Sequence, residues 1–253
     1  MPEQGKDVPH NVWWSALGRR LLQEERHMVL AMLARCPGQR ALLIGCGAPV
    51  FLLQESRMVH KIHLLSAPQQ WRSEVGSTLV GAAECLPFAD ESLDLVVLHH
   101  ALDASLRPRA VLRESLRVLH AGGHLLILGF NPWSLWGLLR LLGYGQKLPT
   151  AMRVGVPRLG DWLELLDCEL EDIAFTGFDP PHDRAAGWFW RLFTAPFLRR
   201  HPASAAVYAV LAYKRQRRLI RPPMLQAVWP RARASWKWMP TPMQAHDEDD
   251  KRC

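Results

Sequence analysis

Residues 81–129 read GAAECLPFADESLDLVVLHHALDASLRPRAVLRESLRVLHAGGHLLILG. Within this stretch Leu93 to Leu98 is a near-continuous apolar run, Leu-Asp-Leu-Val-Val-Leu, of the kind carried by a parallel strand buried on both faces. Arg109 to Leu119 follows, with Leu112, Leu116 and Leu119 on one face and Gly122-Gly123 as its stop, which predicts an amphipathic helix. His124 to Gly129 reads as the next strand. A strand, a crossover helix and a strand form a βαβ unit with its two strands parallel.

The same alternation extends outward. Toward the N-terminus, Ser15 to about Arg35 sets Leu17, Leu21, Met28 and Met32 against Arg19, Arg20, Glu24 and Glu25, an amphipathic helix that Pro37-Gly38 ends. Ala41 to Ile44 is a short strand running into Gly45-Cys46-Gly47-Ala48-Pro49, where Pro49 suits the first turn of a helix. Lys61 to Leu65 and Thr78 to Val80 are two further strands. Toward the C-terminus, Leu135 to Leu142 and Pro157 to Leu166 read as helices, Leu170 to Phe178 and Val207 to Tyr213 as the sixth and seventh strands. The expected fold is α/β, a Rossmann-like, seven-stranded, doubly wound sheet, mostly parallel. No strong helix separates the last two strands, so an antiparallel edge strand is expected there, with residues 179–204 as a long β-β insertion.

Composition narrows the class. Of 253 residues 49% are hydrophobic and 22% charged, which excludes a disordered or fibrous chain. The net charge of +7 is concentrated: residues 214–253 hold 10 Lys and Arg against 4 Asp and Glu, leaving +1 on the body. A near-neutral body excludes a main fold built to grip nucleic acid. The expected organisation is one domain over 1–213 and a basic, proline-rich, disordered tail over 214–253. In the tail, 214–237 has eight basic and no acidic residues interleaved with Trp229, Trp236 and Trp238, which suits contact with an anionic surface or RNA, or simply a solvated tail. Cys36, Cys46, Cys85, Cys168 and Cys253 are scattered and include no CxxC pair, so neither a disulfide framework nor a zinc site is expected, and no metal. Reduced thiols and a start without an apolar secretory segment predict a cytoplasmic protein. Residues 121–139 are uncharged, but Gly122-Gly123 and Asn131-Pro132 punctuate them, so no transmembrane segment is expected.

Three stretches carry a resemblance. Residues 81–96 resemble the GDAExLPFxDxSFDLV signature of the class I S-adenosylmethionine-dependent methyltransferases, in the type 11 branch that holds many small-molecule and lipid-quinone methyltransferases. Residues 112–125 are similar to the REAxRVLxPGGxL helix-turn-strand of that family, and Leu43-Ile44-Gly45-Cys46-Gly47 resembles its glycine motif. Trp13-Trp14 with Phe130-Asn131-Pro132-Trp133-Ser134 is similar to a small YafS-like group of uncharacterised proteobacterial predicted methyltransferases. The resemblance implies methyl transfer from S-adenosyl-L-methionine to a small-molecule acceptor, small or hydrophobic. It implies cofactor contacts at Gly45, Cys46, Gly47, Ser66, Ala82, Ala83, Glu84 and His99.

The family pattern is departed from at four positions. Leu43 replaces the acid before the glycines, Pro49 the third glycine, Ser66 the ribose-binding acid and Ala82 the adenine-contacting Asp. A ribose carboxylate is worth about 1.5–3 kcal/mol, so these departures set beside the enzyme an alternative, a cofactor-poor, catalytically inactive binding or regulatory relative. A dinucleotide site is excluded, because Val50 stands where a third glycine would seat a pyrophosphate. His99 and His100, ending the fourth strand, are the candidate general bases if the acceptor carries a proton, or else satisfied, half-buried histidines. Gly45 and Gly47 serve either a ligand or a β-to-α turn alone, Glu84 and Asp90 either a ligand or a solvated turn. Asp94 is expected to cap within the fold, and Trp188-Phe189-Trp190 to pack or to bind.

Overall fold

The computed structural model describes residues 16–45, 51–65, 76–134, 137, 154–177 and 205–215. The chain divides into two units, Met1–Arg217 and Arg218–Cys253, of which the second lies wholly outside the described residues. In chain order the elements are α1 (Ala16–Leu33), β1 (Arg40–Gly45), α2 (Phe51–Gln54), β2 (His60–Leu65), β3 (Ser77–Val80), β4 (Leu93–His99), α3 (Ala101–Ala104), α4 (Pro108–Val118), β5 (Leu119–Phe130), α5 (Val156–Leu165), β6 (Cys168–Thr176) and β7 (Val207–Lys214).

The strands form one seven-stranded sheet in the order β3-β2-β1-β4-β5-β7-β6. Pairings from β3 through β5 are parallel, and β7 inserts antiparallel to both β5 and β6. The expected antiparallel pairing of the last two strands is present, with β7 one place in from the edge. The order reverses between β1 and β4, and in open α/β sheets ligands bind at the carboxyl ends of strands beside such a reversal.

Period-two side-chain alternation builds a core on each face. Leu42, Ile44, Val96 and Leu98 pack on one side with Leu112 and Leu116 of α4 and Leu159 and Leu163 of α5. Ala41, Leu43, Leu95 and Val97 pack on the other with Val29, Met32 and Leu33 of α1. Each fully buried leucine contributes about 1.5–3 kcal/mol, so these two layers hold the strand ends in register. Among the described residues no helix is long and apolar enough to cross a membrane.

Boundaries differ from the sequence reading where turn chemistry intervenes. Helix α4 stops at Val118, and β5 begins at Leu119, before the glycine pair rather than after it. The register slips there, Leu93 facing Leu119 and Leu95 facing His124. The slip takes up Gly122, at φ 88, and Gly123, where a Cβ would lie 2.8 Å from Leu119 Cδ1 and 3.0 Å from the Asp94 carbonyl oxygen. Lys214, grouped with the tail from sequence, is the last residue of β7, and its Nζ donates to the carbonyls of Leu116 and Leu119 at 3.0 and 2.7 Å. The expected helix at 135–142 and insertion at 179–204, with Trp188 and Trp190, lie outside the described residues apart from Gly137, as do Trp13, Trp14 and the tail from residue 216.

Candidate functional site: the carboxyl crest of the sheet

Gly45 ends β1 and faces His99 in the β1–β4 register. A Cβ at Gly45 would touch His99 Cβ at 3.5 Å and Nδ1 at 3.8 Å, ordinary contact, so the glycine brings the β1 end against His99 without a steric need for its missing side chain. The next residues singled out from sequence, Cys46 and Gly47, lie outside the described residues, as does Ser66 beyond β2. Gly81 ties the β3 end to the β2 end by donating its N–H to Leu65 O at 2.9 Å. The following turn closes with Cys85 N–H donating to Ala82 O at 3.1 Å. Ala82 and Glu84 are exposed on that turn and Ala83 packs on the core. The Glu84 carboxylate accepts from Ser105 Oγ at 2.6 Å, which binds the turn to the segment after α3.

The structure brings His99 and His100 together with a residue of the distant α1. Both rings are wholly buried, and both point Nε2 at the Glu25 carboxylate, His99 at 2.9 Å and His100 at 3.2 Å. A carboxylate only accepts, so both Nε2 atoms donate. His100 Nδ1 lies 3.4 Å from Asp103 Oδ2, and Asp103 accepts the Phe130 N–H of β5 at 2.8 Å. The His100 ring stacks on Phe130 at 4.0 Å, and its backbone is left-handed, φ 52.

The charges follow from burial against pairing. Burial pushes the Glu25 carboxyl up, but the His100 charge and both imidazole hydrogen bonds outweigh it and hold the group down at about 2. Burial pushes His100 down, while Glu25 and Asp103 outweigh that and raise it to about 9. Burial and the neighbouring His100 charge lower His99. The cluster at neutral pH is therefore a carboxylate, an imidazolium and a neutral imidazole. Glu25, His99 and His100 also present ligand-type atoms within 4.8 Å of one another, yet the His99 and His100 separations from Glu25 are hydrogen-bond lengths that need no ion.

The most specific stretch of the family signature turns out to be a clamp. Arg117 of α4 donates to Phe88 O at 3.0 Å and Leu86 O at 3.1 Å, pairs with Asp90, and makes a two-pronged contact with Glu114, which accepts the Leu86 N–H at 2.9 Å. Asp90 is an exposed turn residue paired with Arg117. Asp94 caps within the fold as expected, accepting the N–H groups of Gln39 and Arg40 at 2.7 and 2.8 Å. Glu25, Asp103 and the Glu114–Arg117 pair were missed from sequence. For Glu25 a signal existed, since it stands four residues from both Leu21 and Val29 and so shares the apolar face of its helix.

Toward an S-adenosyl group the described residues offer the Gly45 strand end, where a Cβ meets only ordinary contact, and the exposed Glu84 carboxylate, which can accept from a hydroxyl or cationic group, while the Ala82 side chain offers no hydrogen bond.

Comparison with known proteins agrees with the geometry. Residues 42–127, which run from β1 through β5, match the family model described as a methyltransferase domain. The chain is 35% identical over 150 residues to the uncharacterized protein YafS of Escherichia coli, 56% of this chain and 57% of that one. It is 28% identical over 113 residues to the demethylmenaquinone methyltransferase of Renibacterium salmoninarum, 42% of this chain and 47% of that one. The chain thus spans about half the length of these curated relatives. Its fold is that of a SAM-dependent methyltransferase from Thermotoga maritima, at TM-score 0.55 and 19% identity, covering 81% of this chain and 95% of that one. What the chain shares with these proteins is thus a methyltransferase-domain match over 42–127 and the fold of a SAM-dependent methyltransferase.

Proposed function

We propose that the chain is an S-adenosylmethionine-dependent methyltransferase acting in the cytoplasm on a small or hydrophobic acceptor. The observation that carries this reading is that the matched domain, 42–127, includes the switch point between β1 and β4, with Gly45 at the carboxyl end of β1, and the exposed Glu84 in the turn after β3. When bound, S-adenosylmethionine supplies an electrophilic methyl group on its sulfonium, so the protein needs only to orient two reactants and exclude water. Gly45 and the His99 main chain would seat the donor from below, Ala83 would flank it and Glu84 would accept from it, with Cys46, Gly47 and Ser66 as further contacts. His99 is the imidazole whose neutral form suits proton removal, but its Nε2 is held by Glu25 and its ring is enclosed. In this reading His99 and His100 shape the crest.

The hydrophobic acceptor is supported by Trp133, 80% exposed just beyond the carboxyl end of β5, and by the demethylmenaquinone methyltransferase relative. A cytoplasmic setting is supported by the free thiols of Cys36, Cys85 and Cys168. Calorimetric titration of the full chain with S-adenosylmethionine and S-adenosylhomocysteine tests the reading. Saturable binding of both is expected, and a flat titration at millimolar ligand would overturn it.

A further inference from the structure

Glu25 is a wholly buried carboxylate on the apolar face of α1. Burying a charge is costly unless it is paired, and an apolar residue of similar size generally serves packing as well or better. Packing alone therefore does not account for it. Its two oxygens go to two consecutive residues that end one strand, His99 through Oε2 and His100 through Oε1. His99 is the residue whose Cα pairs with Gly45. His100 is left-handed, a conformation that persists in a bulky residue only when its surroundings over-determine it. Here they do: its N–H donates to Leu128 O at 3.0 Å, its ring stacks on Phe130, and Glu25 and Asp103 stand at its two nitrogens. The neighbouring Glu24 fixes the same helix to the end of β6, accepting from Thr176 Oγ1 at 3.0 Å and Gly177 N–H at 3.1 Å.

We infer that Glu25 is a positioning residue of the crest: from α1 it holds the two imidazoles that end β4, fixes the β4 main chain against Gly45, and so couples the docking of α1 to the binding of the methyl donor. The inference rests on the methyl-transfer reading for its ligand and on geometry alone for the crest. The charged and titratable groups facing the cluster are Glu25 from α1, His99 at the end of β4, His100 just beyond it, Asp103 from α3, and Tyr208 of β7, whose ionisation burial and then Asp103 oppose and whose hydroxyl donates to Val154 O at 2.9 Å.

The test compares the full chain with Glu25→Gln, which keeps the shape and removes the charge. Hydrogen exchange without ligand is read at the His99 and His100 amides and, as an internal reference, at Leu42 and Leu43 in mid-β1. S-adenosylhomocysteine affinity is read in parallel. With native circular dichroism, the variant should exchange at least tenfold faster at the crest and not at the reference, and should bind at least tenfold more weakly. A folded variant with unchanged crest exchange and affinity would overturn the inference. Should the variant not fold, the unmodified chain decides: crest protection, corrected for the intrinsic rate, should fall as pH rises through about 9, where His100 loses its charge, and constant protection from pH 7 to 10 would overturn it. Crest loosening in the variant of a chain that binds no S-adenosylhomocysteine would sink the methyl-transfer reading and leave the positioning standing. Chelator is the last arm: unchanged crest protection in EDTA is expected, and its loss would replace Glu25's action with that of a bound metal.

Discussion

At the residue scale, buried charge sets a pH window. His100 binds its proton more tightly folded, at about 9 against an ordinary 6.5, so its contribution is full below about 6.5 and is lost as pH rises through 9. Glu25 is depressed to about 2 from 4.5, so its contribution is full above about 4.5 and is lost as pH falls toward 2. Each flank is of order 3 kcal/mol, and the two share one attraction, so they do not add. Urea denaturation should therefore show maximal stability between about pH 4.5 and 6.5 and a lower midpoint at pH 9.5, with His100→Asn flattening the alkaline flank. A level profile from pH 6 to 10 would contradict the cluster. At Gly45 the geometry separates fold from ligand. Because a Cβ there makes only ordinary contact with His99, Gly45→Ala should fold normally, whereas the branch of Gly45→Val reaches the ligand side and should lower S-adenosylhomocysteine affinity at least tenfold with circular dichroism unchanged. Sequence placed Gly45 and His99 at the crest because strand ends and glycine turns are local signals. It missed the Glu25 contact because that pairing spans 74 residues: spacing puts Glu25 on the apolar face of its helix but does not say which partner meets it there.

At the element scale, the legible parts were those whose period is strong. The Leu93–Leu98 run became β4 and the leucine face of Arg109–Leu119 became α4, each within a residue, because burial on both faces or on one stripe is written directly into apolar spacing. The four-residue α3 was invisible, since one turn carries no periodicity, and β5 began early because Gly122 and Gly123 serve a register slip rather than a helix cap. The signature stretch was recognised as a pattern while its physical work was not: it is the loop that α4 clamps through Arg117. That side chain satisfies two carbonyls and two carboxylates from one guanidinium, so Arg117→Ala should cost about 2–3 kcal/mol in chemical denaturation. Arg117→Lys should recover less than half of that, because a single ammonium cannot reproduce a planar fork. The clamped loop follows directly on Ala82–Glu84, so folded Arg117→Ala should also bind S-adenosylhomocysteine more weakly. Full rescue by lysine would show that charge alone, and not the fork, holds the loop.

For the whole molecule, the question is where the folded unit stops and what the charge beyond it does. Compactness divides the chain after Arg217, and the last described contacts before that point hold β7 to the body: Arg215 N–H donates to Asp167 O at 3.0 Å and Lys214 Nζ caps the last turn of α4. A basic side chain on the orphan carbonyls at a helix C-terminus is stabilising by about 0.5–1 kcal/mol. Two truncations one short step apart should therefore behave differently. A chain ending at Arg217 should keep the melting temperature and the S-adenosylhomocysteine affinity of the full chain. A chain ending at Tyr213 loses Lys214 and Arg215 and should melt several degrees lower, on the order of 4 °C per kcal/mol for a domain of this size. The first truncation also removes a net +3 of the total +7 and the second the whole +6 of 214–253, and the near-neutral body that is left has little long-range attraction for a polyanion. Retention on heparin should fall and its salt dependence should flatten, by counterion release, while ligand binding stays unchanged. Equal retention of the full chain and the chain ending at Tyr213 would place the polyanion contact on the sheet domain, where charge balance gives no reason for it. Equal melting of the two truncations would show that β7 is held by its strand pairing alone.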